Sequence, residues 1–158
     1  MMKELALSIN KEQILSSEGI VMHNWETFIM ERKAQWVCQN GGDILEIGFG
    51  MGISADFIQS HNIKSHTICE IHPQVLSRLR DWVQDKPNVT ILKGDWYDNI
   101  SNMKKYDGIL YDTYRDYNHS EFKKLIPKIA NPNCNVTWWN NTPKAICEHK
   151  LQTTTYRS

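Results

Sequence analysis

The stretch that most constrains this 158-residue chain is a short apolar run followed at once by three glycines. Residues 44–47 are mostly apolar and too few for a helix, which is typical of a buried parallel strand. Gly48, Gly50 and Gly52 follow at every second position, and residues 54–58 then have helical character. A strand, a glycine turn and a helix form the first half of a nucleotide-binding βαβ unit, where glycine lets a ligand approach the backbone without meeting a Cβ atom.

The next predicted strand, residues 65–70, ends on the carboxylate of Glu70. Glu70 lies roughly 20 positions after the first glycine, where an acidic side chain accepts hydrogen bonds from the hydroxyls of a ribose. Because a bare strand-to-helix turn also uses glycine, only the combination with Glu70 predicts a nucleoside site. The spacing GxGxG, in place of the GxGxxG that suits a pyrophosphate, favours S-adenosylmethionine modestly. A nicotinamide dehydrogenase stays the lesser alternative.

Strands and helices alternate through the rest of the chain. Further strands are predicted at residues 89–93, 106–112 and 135–139, and helices at 53–61, 72–82 and 120–130, the last interrupted near Pro127. This alternation predicts an α/β fold with a mostly parallel twisted sheet and helices on both faces. Ligands of such sheets bind beyond the carboxyl ends of the strands. Glycine and polar residues gather at all five ends, and Asp95 and Trp96 there would offer an adenine a hydrogen bond and an aromatic wall.

The length predicts a single domain over residues 1–158. We divide it into an N-terminal helical cap over residues 1–42, a Rossmann-like core over 43–142, and a short C-terminal helix and strand over 143–158. The helices of the cap are predicted at residues 3–17 and 25–39. The last strand, residues 151–157, is rich in β-branched side chains, which suits an edge strand. An uncovered edge suggests a homodimer formed through it.

Charge and cysteine content exclude several functional classes. Lysine plus arginine and aspartate plus glutamate both number 18, so no net charge attracts nucleic acid or a membrane surface. No apolar segment has the length that spans a bilayer. The four cysteines are scattered without a CxxC pair, which disfavours zinc and a disulfide framework and suggests the cytoplasm.

Several separate blocks of sequence resemble one family of enzymes. The blocks are residues 21–22, 25–27, 45–51, 78–82, 93–94 and 106–114, which look like guanidinoacetate N-methyltransferase, and 50–53 and 70–73, which are similar to the fungal-type arginine δ-N-methyltransferases. The resemblance covers about residues 21–142. It implies a class I methyltransferase fold, and S-adenosylmethionine as methyl donor with S-adenosylhomocysteine as product. The chain departs from the family pattern at its end, where we expect the fold to be shortened after strand five or six. The implied acceptor is a guanidino nitrogen.

The carboxylates that bind the guanidine in this family correspond to Glu26 and Asp112. Chemistry supports both, because a planar guanidinium pairs bidentately with carboxylates and is a poor nucleophile until it is oriented and loses a proton. Asp112 is predicted as the main orienting group and proton acceptor, with Glu26 as its partner. The structural alternatives are a turn carboxylate at the end of a strand for Asp112 and a helix-dipole interaction for Glu26.

The resemblance and the strand ends together define the remaining site residues. The predicted donor-binding residues are Met22, Trp25, Gly48, Phe49, Gly50, Gly52, Glu70, Ile71, Gly94, Asp95, Trp96 and Tyr111. The predicted acceptor-binding residues are Glu26, Asp112, Tyr114, Asn141 and Thr142. No metal site is predicted, since one carboxylate beside Asn140 and Asn141 is too little for Mg²⁺.

Alternatives to a guanidino methyltransferase stay open at this level. One is a methyltransferase of the same fold with a different acceptor, and another is an inactive donor-binding domain that acts as an interaction module. The acceptor itself is also open among guanidinoacetate, free arginine, another small guanidine and an arginine of a protein.

Overall fold

The computed structural model describes residues 7–9, 13–16, 19–23, 27–113, 119–138 and 152–157. The strands are β1 (Leu7–Ile9), β2 (Gln13–Ser16), β3 (Gly19–His23), β4 (Asp43–Ile47), β5 (Ser65–Glu70), β6 (Val89–Lys93), β7 (Tyr106–Tyr111), β8 (Ala130–Trp138) and β9 (Gln152–Thr155). The helices are α1 (Thr27–Val37), α2 (Ile53–Gln59), α3 (Pro73–Trp82) and α4 (His119–Ile129), with 3₁₀ turns at Val83–Asp85 and Ile100–Asn102.

Six strands form the central sheet in the order β6-β5-β4-β7-β8-β9. The first five of these run parallel, and β9 pairs antiparallel with β8. The order reverses beside β4, because the chain goes outward to β5 and β6 and then returns to β7 on the other side. β4, β5 and β7 are almost wholly buried, as expected for parallel strands covered on both faces. The predicted α/β fold with a mostly parallel sheet is confirmed.

Helices cover both faces of the sheet. On one face Ile44 packs with residues of α1 and α2, and Ile68 packs with residues of α3. On the other face Leu45 and Ile47 share a core with Phe122 of α4. Neighbouring residues of β4 serve opposite faces because successive side chains of a strand alternate.

The start of α3 agrees with its sequence signals. Pro73 occupies the first turn, and the imidazole Nδ1 of His72 accepts a hydrogen bond from the backbone N–H of Gln74 at 3.3 Å. Proline suits this position because the first helical N–H groups have no partner inside the helix. The helix predicted at 72–82 is therefore confirmed, with His72 as its N-cap.

The predicted helix over residues 3–17 is wrong. The described parts of that stretch are β1 and β2, which form a three-stranded antiparallel sheet with β3. Residue pairing runs from Leu7 with Ser16 to Ser16 with Gly19. Strand pairing therefore determines the structure of this stretch despite its helical periodicity. A local sequence pattern contains no information about such pairing. The helical part of the N-terminal region is α1, within the predicted 25–39.

Two further elements differ in extent from their predictions. Helix α4 is not interrupted at Pro127 but continues to Ile129, because a proline near the end of a helix removes only one late hydrogen bond. Strand β8 begins at Ala130, five residues earlier than predicted, with an irregular register against β7. The predicted helix at 143–150 lies outside the described residues.

Strand β9 confirms the strand predicted near the C-terminus. It is the outermost strand on its side of the sheet among the described residues. The homodimer predicted through this strand stays a prediction. No helix in the described part of the chain has the length and apolar character needed to cross a membrane.

Candidate functional site

Backbone hydrogen bonds join the carboxyl ends of four neighbouring strands. The N–H of Gly48, after β4, donates to the carbonyl of Cys69 at 2.9 Å, and the N–H of Gly94, after β6, donates to the carbonyl of Glu70 at 2.9 Å. After β7, the N–H of Asp112 donates to the carbonyl of Ile47 at 2.9 Å. The structure therefore brings the glycine turn, Glu70, Gly94 and Asp112 together at one edge of the sheet.

The glycine turn is crowded by atoms of the protein itself. Gly48 has φ +94°, and a Cβ atom there would lie 2.0 Å from the carbonyl oxygen of Asp112. Gly52 has φ +82°, and its Cβ atom would lie 2.8 Å from the ring of Phe49. Positive φ angles favour glycine, and both distances are shorter than real Cβ atoms show, so a side chain at either position would force its neighbour to shift. At Gly48 the requirement for glycine comes from the Asp112 carbonyl, and at Gly52 it comes from the Phe49 ring. The sequence analysis had attributed both glycines to the approach of a ligand.

The carboxylate of Glu70 is buried and accepts three backbone hydrogen bonds. Its Oε1 accepts from the N–H of Phe49 at 2.9 Å, and its Oε2 accepts from the N–H of Ile71 at 2.9 Å and of His72 at 3.0 Å. A carboxylate has about four acceptor positions, so roughly one is left for a ligand hydroxyl. Glu70 thus shapes the glycine turn, and its contact with a ribose stays a prediction.

The loop after β6 presents Asp95. Its Oδ1 accepts a hydrogen bond from the backbone N–H of Tyr97 at 2.8 Å. Asn99, which sequence reasoning missed, donates through its amide to the carbonyls of Lys93 at 3.0 Å and of Asp95 at 2.9 Å. Asp95 retains acceptor capacity suited to an amino group such as that of adenine.

Three aromatic residues predicted to contact the donor have side chains in the hydrophobic core. Trp96 is 6% exposed, and its ring lies edge-on to those of Tyr111 and Phe122. Tyr111 is fully buried and stacks on Phe122 with a centroid distance of 4.2 Å. The ring of Phe49 packs against Trp82 at 5.3 Å. These rings pack in the core next to the carboxyl ends of the strands. The contact of Trp96 with an adenine stays a prediction.

Asp112 and Thr113 follow β7 and are both half-buried. The hydroxyl oxygen of Thr113 is buried without a hydrogen-bond partner among the described residues. Of the other predicted contacts, Trp25, Glu26, Tyr114, Asn141 and Thr142 lie outside the described residues, and Met22 lies in β3. The pairing of Asp112 with Glu26 therefore stays a prediction.

Cys69, the next-to-last residue of β5, is a core residue. Burial raises the pKa of its thiol to about 12, and the charges of Glu70 and Asp95 act in the same direction. A thiol with this pKa is not a nucleophile near neutral pH. In the described part of the chain no cluster of histidine, cysteine, aspartate and glutamate is arranged to hold a metal ion.

A separate groove lies beside the sheet. It has a volume of about 350 Å³ and is bordered by α4, the end of β8 and the stretch from β9 to Arg157, with the ammonium of Lys123 4.3 Å from the centre of the Trp138 ring. None of the residues bordering it belongs to the predicted site.

Comparison with known proteins places the chain among methyltransferases. The sequence profile of the family described as guanidinoacetate N-methyltransferase matches residues 9–145. The chain is 38% identical over 138 residues to protein arginine N-methyltransferase 2 of Candida glabrata, covering 79% of this chain and 33% of that protein. It is 42% identical over 113 residues to the protein of the same name from Saccharomyces cerevisiae, covering 65% and 27%. This chain thus spans about a third or less of the length of these relatives.

A solved structure of low sequence identity shares the fold. Precorrin-6y C5,15-methyltransferase from Geobacter metallireducens superimposes with a TM-score of 0.63 at 13% identity, over 81% of this chain and 67% of that one. This likeness supports the Rossmann-like sheet and nothing finer. Since the family profile spans most of the chain, from β1 past the end of β8, the chain belongs to the guanidinoacetate N-methyltransferase family.

Proposed function

We propose that this chain is an S-adenosylmethionine-dependent methyltransferase that transfers a methyl group to a guanidino nitrogen. The observation that carries the proposal is a direct contact between two strand ends. One is the end of β4 with its glycine turn, where the donor would bind (the donor side), and the other is the end of β7 at Asp112, where the acceptor would bind (the acceptor side). Asp112 N–H bonds to Ile47, and the Asp112 carbonyl lies where a side chain of Gly48 would be. A group bound by the glycine turn would therefore lie next to a carboxylate that can orient an acceptor. Family membership and the names of the relatives agree with this chemistry.

The residues present fit the donor. Glu70 has about one acceptor position for a ribose hydroxyl, and Asp95 can accept from the amino group of adenine. The backbone of Gly48, Gly50 and Gly94 lies at the joined strand ends. When bound, the donor supplies an electrophilic methyl group on a positively charged sulfonium. Methyl transfer to nitrogen leaves S-adenosylhomocysteine.

The role of Asp112 and Glu26 is to hold the plane of the guanidinium. A guanidinium has N–H donors in a fixed planar fork that match carboxylate oxygens. Held in this way, one nitrogen faces the methyl group, and Asp112 accepts the proton which that nitrogen loses as its new bond to carbon forms. Positioning of reacting groups can lower a barrier by roughly 7–11 kcal/mol. Tyr114, Asn141 and Thr142 are proposed to contact the rest of the acceptor.

The acceptor is a small guanidine or an arginine side chain. The family name indicates guanidinoacetate, and the names of the relatives indicate an arginine of a protein. The test is therefore a panel assay with labelled S-adenosylmethionine and, separately, guanidinoacetate, arginine, agmatine and an arginine-containing peptide. We expect transfer to one of them, unaffected by a chelator because no metal takes part.

Variants connect the activity to the site. Asp112→Asn should lower kcat/KM for the acceptor by about 100-fold or more, as expected when a positioned charged partner is lost. Asp81→Asn is the matched control, because Asp81 is an exposed carboxylate on α3. If no guanidine is methylated while the donor still binds, the chain is an inactive binding module or acts on a different acceptor. Chelator-sensitive methylation of a hydroxyl would identify that other acceptor class.

A further inference from the structure

A buried carboxylate lies beneath the glycine turn. Glu46, in the middle of β4, is fully buried. Its Oε2 accepts a hydrogen bond from the hydroxyl of Ser54 at 2.8 Å, and its Oε1 lies 2.9 Å from Nε2 of His66, which is also fully buried. Sequence reasoning missed this group. The available signal was a charged residue inside an otherwise apolar strand, which rarely occurs without partners.

The four side chains of this cluster come from three elements. Ser54 lies in the first turn of α2, and Glu46 and His66 lie on the adjacent strands β4 and β5. The remaining ring nitrogen of His66, Nδ1, lies 3.0 Å from the amide nitrogen of Gln59, the last residue of α2. We call these residues the Glu46 cluster. It connects both ends of α2 to the sheet.

The hydrogen bond from Ser54 to Glu46 spans the whole glycine turn. The two residues are eight positions apart, and Gly48, Gly50 and Gly52 lie between them. At the β4 side the turn is held by Gly48 N–H to Cys69 and by Phe49 N–H to Glu70. At the α2 side the N-cap is Gly52, which has no side chain to cap the helix. The hydroxyl of Ser54 supplies a side-chain anchor at that end.

We propose that Glu46 is a positioning residue for the methyl donor: held by His66, it fixes the glycine turn through Ser54. The proposal rests on the donor site proposed above and adds three residues to it. A carboxylate suits this task because it accepts two directed hydrogen bonds at once from different elements. An apolar side chain would fill the same space without setting the distance between β4 and α2. A buried network with every member bonded favours one arrangement of its elements.

The first test compares two serines at opposite ends of α2, Ser54 in its first turn and Ser60 at its C-cap. Ser54→Ala removes the hydroxyl that bonds Glu46, and we expect the KM for S-adenosylmethionine to rise about tenfold, the factor that corresponds to one net hydrogen bond. The KM for the acceptor should stay within about twofold, because the backbone hydrogen bond that holds Asp112 is accepted by Ile47 of β4, which does not depend on the Ser54 hydroxyl. The control is Ser60→Ala. The Ser60 hydroxyl also makes a hydrogen bond, to the carbonyl of Phe57, but it is exposed and not connected to Glu46.

The second test uses rescue by a conservative variant. In Glu46→Gln the amide oxygen can accept from Ser54 and the amide N–H can donate to Nε2 of His66, provided that His66 adopts its other tautomer and the Gln59 amide turns over. We expect its donor KM to stay within about threefold of wild type. Glu46→Leu leaves the Ser54 hydroxyl and Nε2 of His66 without the partner they have in the native protein, so its donor KM should rise by about tenfold or more.

Binding of S-adenosylhomocysteine, measured by calorimetry well below each melting temperature, gives a readout independent of turnover. The proposal is overturned if Ser54→Ala and Ser60→Ala bind it equally, or if Glu46→Gln weakens binding as much as Glu46→Leu. If the cluster had only a structural role, these variants would have lower melting temperatures, and the KM for the donor would not rise more than the KM for the acceptor. A wild-type protein that does not bind S-adenosylhomocysteine would overturn both the donor site and this role. Normal donor binding without methyl transfer overturns only the proposed reaction.

Discussion

Replacement of Gly48 by alanine tests whether the donor-side and acceptor-side strand ends depend on one another. The new Cβ atom would lie 2.0 Å from the Asp112 carbonyl oxygen, whereas real Cβ contacts are essentially never below 3.0 Å, so the two chains must separate by at least about 1 Å. The left-handed backbone at φ +94° adds strain, worth about 1–2 kcal/mol for a residue with a Cβ atom. With about 1–3 kcal/mol for the steric overlap, the loss of stability is about 2–5 kcal/mol. For a chain of this size that lowers Tm by roughly 5–15 °C.

The same displacement should reduce activity, because a 1 Å misplacement of reacting groups costs about 100-fold in rate. Thermal denaturation and kcat/KM measured on the same preparations give both quantities. Gly41→Ala is the matched control: it also has positive φ, at +61°, but its nearest contact is 3.1 Å, to the carbonyl of Asn62 at the other end of β4. It should lose about 1–2 kcal/mol and keep its activity. If Gly48→Ala is no less stable and no less active than Gly41→Ala, the reasoning fails.

Two further predictions follow from the pKa values of three buried thiols and one half-buried carboxylate. Burial raises the pKa of three thiols to about 12, so they should resist iodoacetamide at pH 8 in the native protein and react after unfolding; rapid native labelling would contradict this for Cys38, Cys69 and Cys134. Burial alone would raise the pKa of Asp43, but hydrogen bonds from Ser65 and Lys104, together with the charges of Lys104 and Lys64, more than offset it and the pKa is lowered. Its carboxylate therefore stabilises the fold above about pH 4, and this contribution is lost as the pH falls through the lowered value. Asp43→Asn should show a smaller loss of unfolding free energy on acidification than wild type in urea titrations, and an unchanged acid response would refute the assignment.

Local sequence patterns were sufficient for the elements whose signals lie within a few residues. The run before Gly48 predicts β4, and the pair of His72 and Pro73 predicts the start of α3; both are confirmed. The parallel sheet follows from the alternation of strands and helices, because parallel strands need crossover connections. Glu70 is placed correctly at a strand end beside the glycine turn.

Other features depend on partners that are distant in the chain, and only the tertiary structure decided them. Residues 7–9 and 13–16 are strands because β1 pairs with β2 and β2 pairs with β3, and this pairing outweighs their moderate helical amphipathicity. Trp96 lies in the core because Tyr111 and Phe122, which follow it by 15 and 26 positions, close around its ring.

The amino-acid sequence by itself determined the α/β class, the glycine turn and the chemical type of the side chains at the strand ends. Which atoms those side chains contact was decided by packing across the sheet. Gly48 is required by the Asp112 carbonyl, 64 positions later, and Glu46 is satisfied by Ser54 and His66 on different elements. Such contacts form only when the whole sheet assembles, because hydrogen bonds and steric limits act through space and not along the chain.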